Sequence, residues 1–142
     1  MRKRILLADD DAGIREMLGR VLELEGYEVV FAGTGREAVM MFAVKLPDLV
    51  LLDLNMPNMD GWEAIDQITS KHPYVSVIVI TARPRQYKQA AGMAIDALME
   101  KPLDLPILLT AIAELLAESE TERIDRLRNP NFKTRHLNRG RE

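Results

Sequence analysis

The residues of this sequence that could do chemistry are mostly acidic, and they follow two short apolar runs. Asp9, Asp10 and Asp11 come directly after one such run, and Asp53 follows a second, with Asn55 two residues further on. Carboxylates that lie close together repel one another, so a bound cation favours their ionised form. A small all-oxygen ligand set with room for water suits Mg²⁺. The pattern therefore predicts a magnesium site, provided that the two segments meet in the fold.

A hydroxyl and an ammonium follow two later apolar runs. Thr81 and Ala82 come after the run 75–80, and Lys101 comes shortly after the run 97–99. An ammonium beside a magnesium ion neutralises the oxygens of a phosphoryl group, and a hydroxyl donates a hydrogen bond to one of them. An aspartate carboxylate can act as the nucleophile and form an aspartyl phosphate. Phosphoryl transfer to an aspartate is the chemistry that these residue types predict.

Five apolar runs alternate with segments of helical spacing along the first 118 residues. Most of the runs are continuous, which is typical of strands covered on both faces of a parallel sheet. Between them, apolar residues at 14, 17, 18, 21 and 22 show helical spacing, and Thr34 with Glu37 has the form of a capping box. The alternation predicts a doubly wound α/β fold with five strands and five helices. In such a sheet, functional residues lie outside the carboxyl ends of the strands.

Composition excludes several other kinds of site. The chain has 142 residues, no cysteine and two histidines, which excludes disulfides, thiolate nucleophiles and metal centres built from cysteine or several histidines. Hydrophobic residues make up 47% and charged residues 29%, a balance typical of globular proteins. The apolar runs are too short to span a bilayer, and a strand-like segment begins almost at Met1. We therefore expect a cytoplasmic protein without a signal peptide or membrane anchor.

The charge is distributed unevenly along the chain. Residues 119–142 contain seven Lys/Arg and four Asp/Glu, whereas residues 1–118 contain 12 and 18. We divide the chain into a folded domain, 1–118, and a tail, 119–142, in which helix five continues to Arg128 and the basic remainder is disordered. The alternative is that the tail is a docking arm for an acidic partner or nucleic acid. The tail is too short for a helix-turn-helix, so we expect no DNA-binding domain.

Four motifs at the strand ends resemble those of response-regulator receiver domains of two-component signalling. The motifs are Ile5-Leu6-Leu7-Ala8-Asp9-Asp10-Asp11, Leu51-Leu52-Asp53-Leu54-Asn55-Met56-Pro57 with Asp60-Gly61, Ile80-Thr81-Ala82, and Glu100-Lys101-Pro102. The resemblance covers residues 3–118 and implies a flavodoxin-like fold with strand order 2-1-3-4-5. It also implies a stand-alone signalling module, monomeric or weakly dimeric, that catalyses only its own phosphotransfer and dephosphorylation. Its implied partners are a sensor histidine kinase or phosphotransfer protein, whose phosphohistidine is the donor, and a downstream protein.

The resemblance also assigns a role to each strand-end residue. It makes Asp53 the phosphoacceptor, with Asp10 a direct ligand of Mg²⁺ and Asp9 bound mainly through water. The full set of metal-binding residues is Asp9, Asp10, Asp53 and Asn55, the last through its backbone carbonyl. The set that contacts the phosphoryl group is Asn55, Thr81, Ala82 and Lys101. The peptide bond between Lys101 and Pro102 is expected to be cis.

One departure from the family pattern concerns the coupling of Thr81 to the surface. The family usually has Tyr or Phe three residues before the lysine, and this sequence has Leu98 there. Any switching would then involve the loop 82–86 and the fourth helix, with Tyr87 as a substitute aromatic. The departure motivates a second hypothesis, a receiver-like binding module that phosphorylation no longer controls.

A third hypothesis is enzymatic, a haloacid-dehalogenase-like phosphatase. Asp9 and Asp11 would then be the nucleophile and the acid/base. Such an enzyme needs a second acidic pair after the lysine, where only Asp104 is near, and it gives Asp53 no role as a nucleophile.

Overall fold

Strands and helices alternate along the chain as the apolar pattern predicts. The computed structural model describes residues 2–93 and 95–138. The strands are β1 (Arg4–Ala8), β2 (Glu28–Ala32), β3 (Leu49–Asp53), β4 (Ser76–Thr81), β5 (Ala97–Glu100) and β6 (Arg135–His136). The helices are α1 (Ala12–Leu24), α2 (Gly35–Lys45), α3 (Gly61–Lys71), α4 (Tyr87–Gly92), α5 (Leu105–Ala117) and α6 (Glu120–Arg128).

The strands form one parallel sheet in the order β2-β1-β3-β4-β5-β6. The predicted flavodoxin-like order 2-1-3-4-5 is confirmed, and the described residues contain one strand and one helix more than the predicted five of each. Both additional elements, α6 and β6, lie in the segment that we expected to extend helix five and then be disordered.

The core lies on both faces of the sheet because successive strand residues point to opposite sides. In β1, Leu6 and Ala8 belong to one buried cluster, and Ile5 and Leu7 belong to the other. The first cluster packs against α2, α3 and α4, and the second packs against α1 and α5. Burial on both faces explains why the central strands have continuous apolar sequences.

The end of α5 corrects the prediction that this helix continues to Arg128. The helix ends at Ala117, and Glu118 has an extended backbone with φ −65° and ψ 139°. Ser119 then begins α6, because its hydroxyl accepts from the Glu122 amide at 3.0 Å while the Glu122 carboxylate accepts from the Ser119 amide at 2.9 Å. This reciprocal capping box offers the backbone a new helix start in place of a continued helix.

The predicted disorder of the basic remainder is also wrong for residues 129–138. Residues Arg135–His136 pair with β5 and complete its edge. Residues 139–142, which belong to the same prediction, lie outside the described residues. In the described part of the chain, no helix is long and apolar enough to cross a membrane.

Candidate functional site

The carboxyl ends of four neighbouring strands bring the predicted residues to one edge of the sheet. Asp9 follows β1, Asp53 ends β3, Thr81 ends β4 and Lys101 follows β5. The register places Asp53 beside Ile80, so that β3 and β4 end within one residue of each other. The topology therefore assembles side chains that are up to 92 positions apart in the sequence.

Three carboxylates form a cluster at this edge. Oxygens of Asp9, Asp10 and Asp53 all lie within 4.8 Å of one another. Asp9 and Asp53 are 0% and 3% exposed, whereas Asp10 is open to solvent. All the donors are oxygens, and one side of the cluster is accessible to water, so the residues fit the requirements of Mg²⁺.

Short-range hydrogen bonds orient the two buried carboxylates. Asp9 Oδ1 accepts from the Asp11 amide at 2.9 Å, and Asp53 Oδ1 accepts from the Asn55 amide at 3.1 Å. Each loop thus holds one oxygen of its own aspartate, and the Oδ2 atoms of both face Lys101. Asn55 itself is exposed in the loop after β3.

Lys101 neutralises part of the carboxylate cluster. Its Nζ atom lies 2.9 Å from Asp53 Oδ2 and 3.4 Å from Asp9 Oδ2. Burial by itself would lower the pKa of Lys101, but the hydrogen bonds and charges of Asp53 and Asp9 together outweigh burial and raise this pKa. The lysine is therefore a stable cation placed between two carboxylates. The peptide bond from Lys101 to Pro102 is cis, as predicted.

The pKa of Asp9 is raised above its ordinary value. Burial raises its pKa, and the nearby charge of Asp53 raises it further, while the Asp11 amide and the Lys101 ammonium act in the opposite direction. A cation placed among these carboxylates would compensate the charge that burial disfavours.

Thr81 lies at the edge, but its hydroxyl faces the loop that follows it. The side chain is 0% exposed, and its Oγ1 accepts from the Arg83 amide at 2.8 Å. The hydroxyl makes no hydrogen bond to Asp53 or Lys101 among the hydrogen bonds of residues 2–93 and 95–138. Ala82 is exposed next to it. The Thr81 oxygen therefore binds the start of the loop that follows β4.

Two arginines outside the predicted set of site residues support the site. Arg15 of α1 donates to the backbone carbonyl of Asp9 at 2.6 Å. Arg83 pairs with Asp60 at 2.9 Å, which joins the loop after β4 to the start of α3. Arg15 stands one turn after Asp11 on the polar side of a helical pattern, a position where sequence alone does not distinguish a supporting residue from a solvated one.

Asp11 is occupied as the N-cap of α1. Its Oδ1 accepts from the amides of Gly13 at 2.8 Å and Ile14 at 3.2 Å. The carboxylate therefore stabilises the helix start, and the cluster at the sheet edge uses Asp9, Asp10 and Asp53 instead.

The sequence profile described as "Response regulator receiver domain" matches residues 5–113. This chain belongs to that family, whose domains are regulatory rather than catalytic and which typically use Mg²⁺.

Curated proteins of similar sequence are named response regulators. The curated "Response regulator MprA" of Mycolicibacterium vanbaalenii is 40% identical over 118 residues, which are 82% of this chain and 51% of that protein. The protein of the same name from Mycobacterium tuberculosis is 37% identical over 124 residues, 86% of this chain and 54% of that protein. The chain thus spans about half the length of these relatives.

Solved structures agree with the family assignment. A CheY-like receiver domain protein from Methanospirillum hungatei has a TM-score of 0.80 and 32% identity, over 86% of this chain and 99% of that one. The response regulator TrrA from Thermotoga maritima, solved with Mg²⁺ and BeF, has a TM-score of 0.74 and 34% identity, over 80% and 98%.

Proposed function

We propose that Asp53 accepts a phosphoryl group from the phosphohistidine of a sensor kinase or phosphotransfer protein. The observation that carries this proposal is the position of Asp53, a buried carboxylate beside two others and 2.9 Å from a lysine ammonium. A carboxylate oxygen forms the new P–O bond while the P–N bond to the donor imidazole breaks. The imidazole nitrogen leaves with the electron pair of that bond and takes a proton.

Four residues would hold the magnesium ion, which supplies compensation for the negative charge of the phosphoryl oxygens. They are Asp9, Asp10, Asp53 and the backbone carbonyl of Asn55. Asp10 is the exposed carboxylate of the set and would bind the ion directly, whereas Asp9 would act mainly through water.

Lys101, Thr81 and the amide of Ala82 would bind the oxygens of the transferred group, with Asn55 next to them. The Lys101 ammonium exchanges part of its contact with Asp53 and Asp9 for the new phosphoryl charge. Thr81 would swing toward that group, and this movement would weaken the hydrogen bond that its oxygen accepts from the Arg83 amide. This movement would pass to the loop 82–86 and to Tyr87 at the start of α4, since Leu98 is buried and not aromatic.

The folded unit for this function would be residues 1–118, and the signal would pass to a downstream protein partner. The phosphatase hypothesis is not favoured, because its second aspartate, Asp11, is already used to cap α1. The family assignment likewise favours a regulatory domain, whose own activity would be limited to its phosphotransfer and dephosphorylation.

Incubation with phosphoramidate and Mg²⁺, followed by intact mass measurement, tests the proposal. The wild type should gain one phosphoryl group, and Asp53→Asn should gain none. Asp11→Asn is the matched control, because asparagine is as good an N-cap as aspartate, and it should be phosphorylated like the wild type. An equal adduct on Asp53→Asn, or none on the wild type, would contradict the proposal.

The same samples also test the hypothesis of a receiver-like binding module that phosphorylation no longer controls. If Asp53 is phosphorylated but no amide resonance of α4 or β5 shifts, the switching part of the proposal is wrong and the binding module is favoured. Sustained hydrolysis of an aryl phosphate, lost in Asp9→Asn and retained in Asp53→Asn, would instead favour the phosphatase.

A further inference from the structure

Residues 129–138, which we call the strap, follow α6 and add a short parallel strand, Arg135–His136, to the edge of β5. The Arg135 amide donates to the carbonyl of Asp96 at 3.0 Å, and the Leu137 amide donates to the carbonyl of Leu98 at 2.9 Å. Without the strap, the apolar strand β5 would present these backbone groups at a sheet edge. Unpaired edges of this kind pair readily with another chain segment.

The side chain of Asn138 continues the pairing after the strap backbone ends. Its Oδ1 accepts from the Glu100 amide at 3.1 Å, and its Nδ2 donates to the Glu100 carbonyl at 2.6 Å. A carboxamide thus imitates one further residue of the ladder. This contact ends next to Lys101, at the carboxyl end of β5.

Alternate strap residues face the two helices beside β5. Toward α4, the Thr134 hydroxyl donates to the carbonyl of Ile95 at 2.6 Å, and the Tyr87 hydroxyl donates to the carbonyl of Thr134 at 2.5 Å. The rings of Tyr87 and His136 stack, with centroids 5.4 Å apart and planes 13° apart. Thr134 is only 2% exposed, so this side of the strap is a fitted contact.

The opposite side of the strap faces α5. Arg135 pairs with Glu114 at 3.0 Å, and Leu137 packs against the core cluster that includes α5. Residues 134 and 136 therefore contact one face and residues 135 and 137 the other, which is the two-residue period of a strand. The surface around β5 therefore contacts the strap in two ways. It binds the strap backbone through hydrogen bonds, and it contacts a particular side chain at each successive position.

We propose that the β5 edge, with Tyr87 on one side and Glu114 on the other, is a binding surface for an extended segment of a protein partner. The strap occupies this surface as an intramolecular ligand and keeps it closed. A partner segment would add parallel to β5, in the manner of strand addition. It would carry a hydroxyl residue toward α4, a basic residue toward Glu114 and an amide side chain at Glu100.

The short pairing makes displacement of the strap accessible. Only two strap residues, Arg135 and His136, have strand geometry, and the strap salt bridge to Glu114 is exposed at 49% and 58%. Exposed ion pairs contribute little, so the strap is held mainly by the contacts of Thr134 and Asn138, and a two-residue edge pairing opens at lower free energy than the central strands. This inference does not depend on whether Asp53 is phosphorylated.

Fluorescence anisotropy with a labelled peptide of residues 129–138 tests the surface directly. The proteins are the 142-residue wild type and the 142-residue double variant Thr134→Val/Asn138→Leu, whose own strap lacks the hydrogen bonds to the Ile95 carbonyl and the Glu100 backbone. We expect the double variant to bind the peptide at least tenfold more tightly than the wild type. A peptide with the same two substitutions should bind neither protein.

Two additional substitutions in the double variant locate the peptide. Tyr87→Phe removes the hydroxyl that the strap backbone accepts from, and it should weaken peptide binding severalfold. Tyr74→Phe is the matched control, because Tyr74 is 37% exposed and lies in another part of the surface, and it should have no effect. The peptide should also slow amide exchange of Glu100 in the double variant.

Equal peptide binding by wild type and double variant, or absence of binding to both, would overturn the proposal. If the double variant does not fold, as circular dichroism would show, Asn138→Leu alone provides the same comparison, because this residue contacts β5 only at its end. A wild-type dimer that the double variant loses would show exchange of straps between two copies and would overturn the intramolecular assignment.

Discussion

Arg126 of α6 donates a hydrogen bond to the buried carboxylate of Asp96 at 2.5 Å, and Asp96 in turn accepts from the Val77 amide at 2.7 Å. The Arg126 guanidinium also binds Glu118 at 2.7 Å. One arginine thereby joins the end of α5, the helix α6 and the turn before β5. We therefore expect the stability of the added C-terminal elements to depend on this contact.

We predict that Arg126→Met destabilises the protein by about 3 kcal/mol at neutral pH, since it leaves a buried carboxylate without its cation. The value is at the low end for a buried pair because the arginine side chain is 30% exposed. Chemical denaturation measures the change. Arg128→Met, an exposed arginine of the same helix, should change stability by less than about 0.5 kcal/mol.

The loss in Arg126→Met should become smaller as the pH falls. Burial raises the pKa of Asp96 in the wild type, although Arg126 opposes the shift. Without the arginine, this pKa rises further, so the folded variant binds a proton that the unfolded chain releases. Stability from such a raised pKa is present at low pH and is lost as the pH increases through the folded-state pKa. A constant difference between pH 7 and pH 4.5 would contradict this explanation.

We predict opposite effects of Lys101→Met on metal binding and on phosphorylation. The ammonium lies within 3.4 Å of two carboxylates that would hold Mg²⁺, so its removal should tighten Mg²⁺ binding severalfold. The same removal takes a cation away from the phosphoryl oxygens and should slow phosphorylation about a hundredfold. Calorimetry and intact mass measure the two effects. Lys88→Met, an exposed lysine of α4, is the control and should change neither.

Trp62, the only tryptophan of the sequence, should report movement of the loop after Thr81. Its Nε1 donates to Gln86 Oε1 at 2.9 Å, and Gln86 also donates to the carbonyl of Pro84 at 3.2 Å. If phosphorylation turns Thr81 and shifts this loop, tryptophan emission should change on addition of phosphoramidate and Mg²⁺. Gln86→Leu should reduce the change, and Asp53→Asn should abolish it. Full phosphorylation with unchanged emission would refute movement at Gln86.

We predict that substitution by alanine changes the stability of the protein in opposite directions at two glycines. A Cβ at Gly61 would lie 2.5 Å from the Cα of Leu54, so Gly61→Ala forces backbone apart at the start of α3 and should cost about 2 kcal/mol. A Cβ at Gly92, within the short α4, meets nothing within 4 Å, so Gly92→Ala should stabilise the protein by about 0.5 kcal/mol. Thermal denaturation of both variants checks the pair.

One physical reason made two features predictable from sequence. They are the order of the first five strands and the meeting of the acidic residues at one edge of the sheet. Strands buried on both faces leave continuous apolar runs, and polar residues directly after them lie at one edge of a parallel sheet. The same reasoning predicts that Asp9, Asp53 and Lys101 lie together, and the structure confirms this. The orientation of the Thr81 hydroxyl toward Arg83 was not predictable, because a side-chain rotamer leaves no pattern in the sequence.

The strap and α6 were missed for different reasons. Ser119 and Glu122 have the spacing of a capping box, a local signal for a new helix start that the prediction of one continuous helix did not use. The strap has no such local signal. Thr134, His136 and Asn138 are polar. Their positions are fixed by contacts with residues of β5 and α4, which lie about 40 residues earlier in the sequence.

Helix α6 also fixes how strongly the strap competes with any outside segment. Its nine residues span about 14 Å, and its end holds the start of the strap close to β5. A tethered ligand of this kind acts at an effective concentration that is typically in the millimolar range. A partner segment that binds the β5 edge as tightly as the strap must exceed that concentration before it replaces the strap. A partner segment that binds more tightly needs a proportionally lower concentration. The tether that α6 provides therefore sets a threshold for occupancy of the β5 edge.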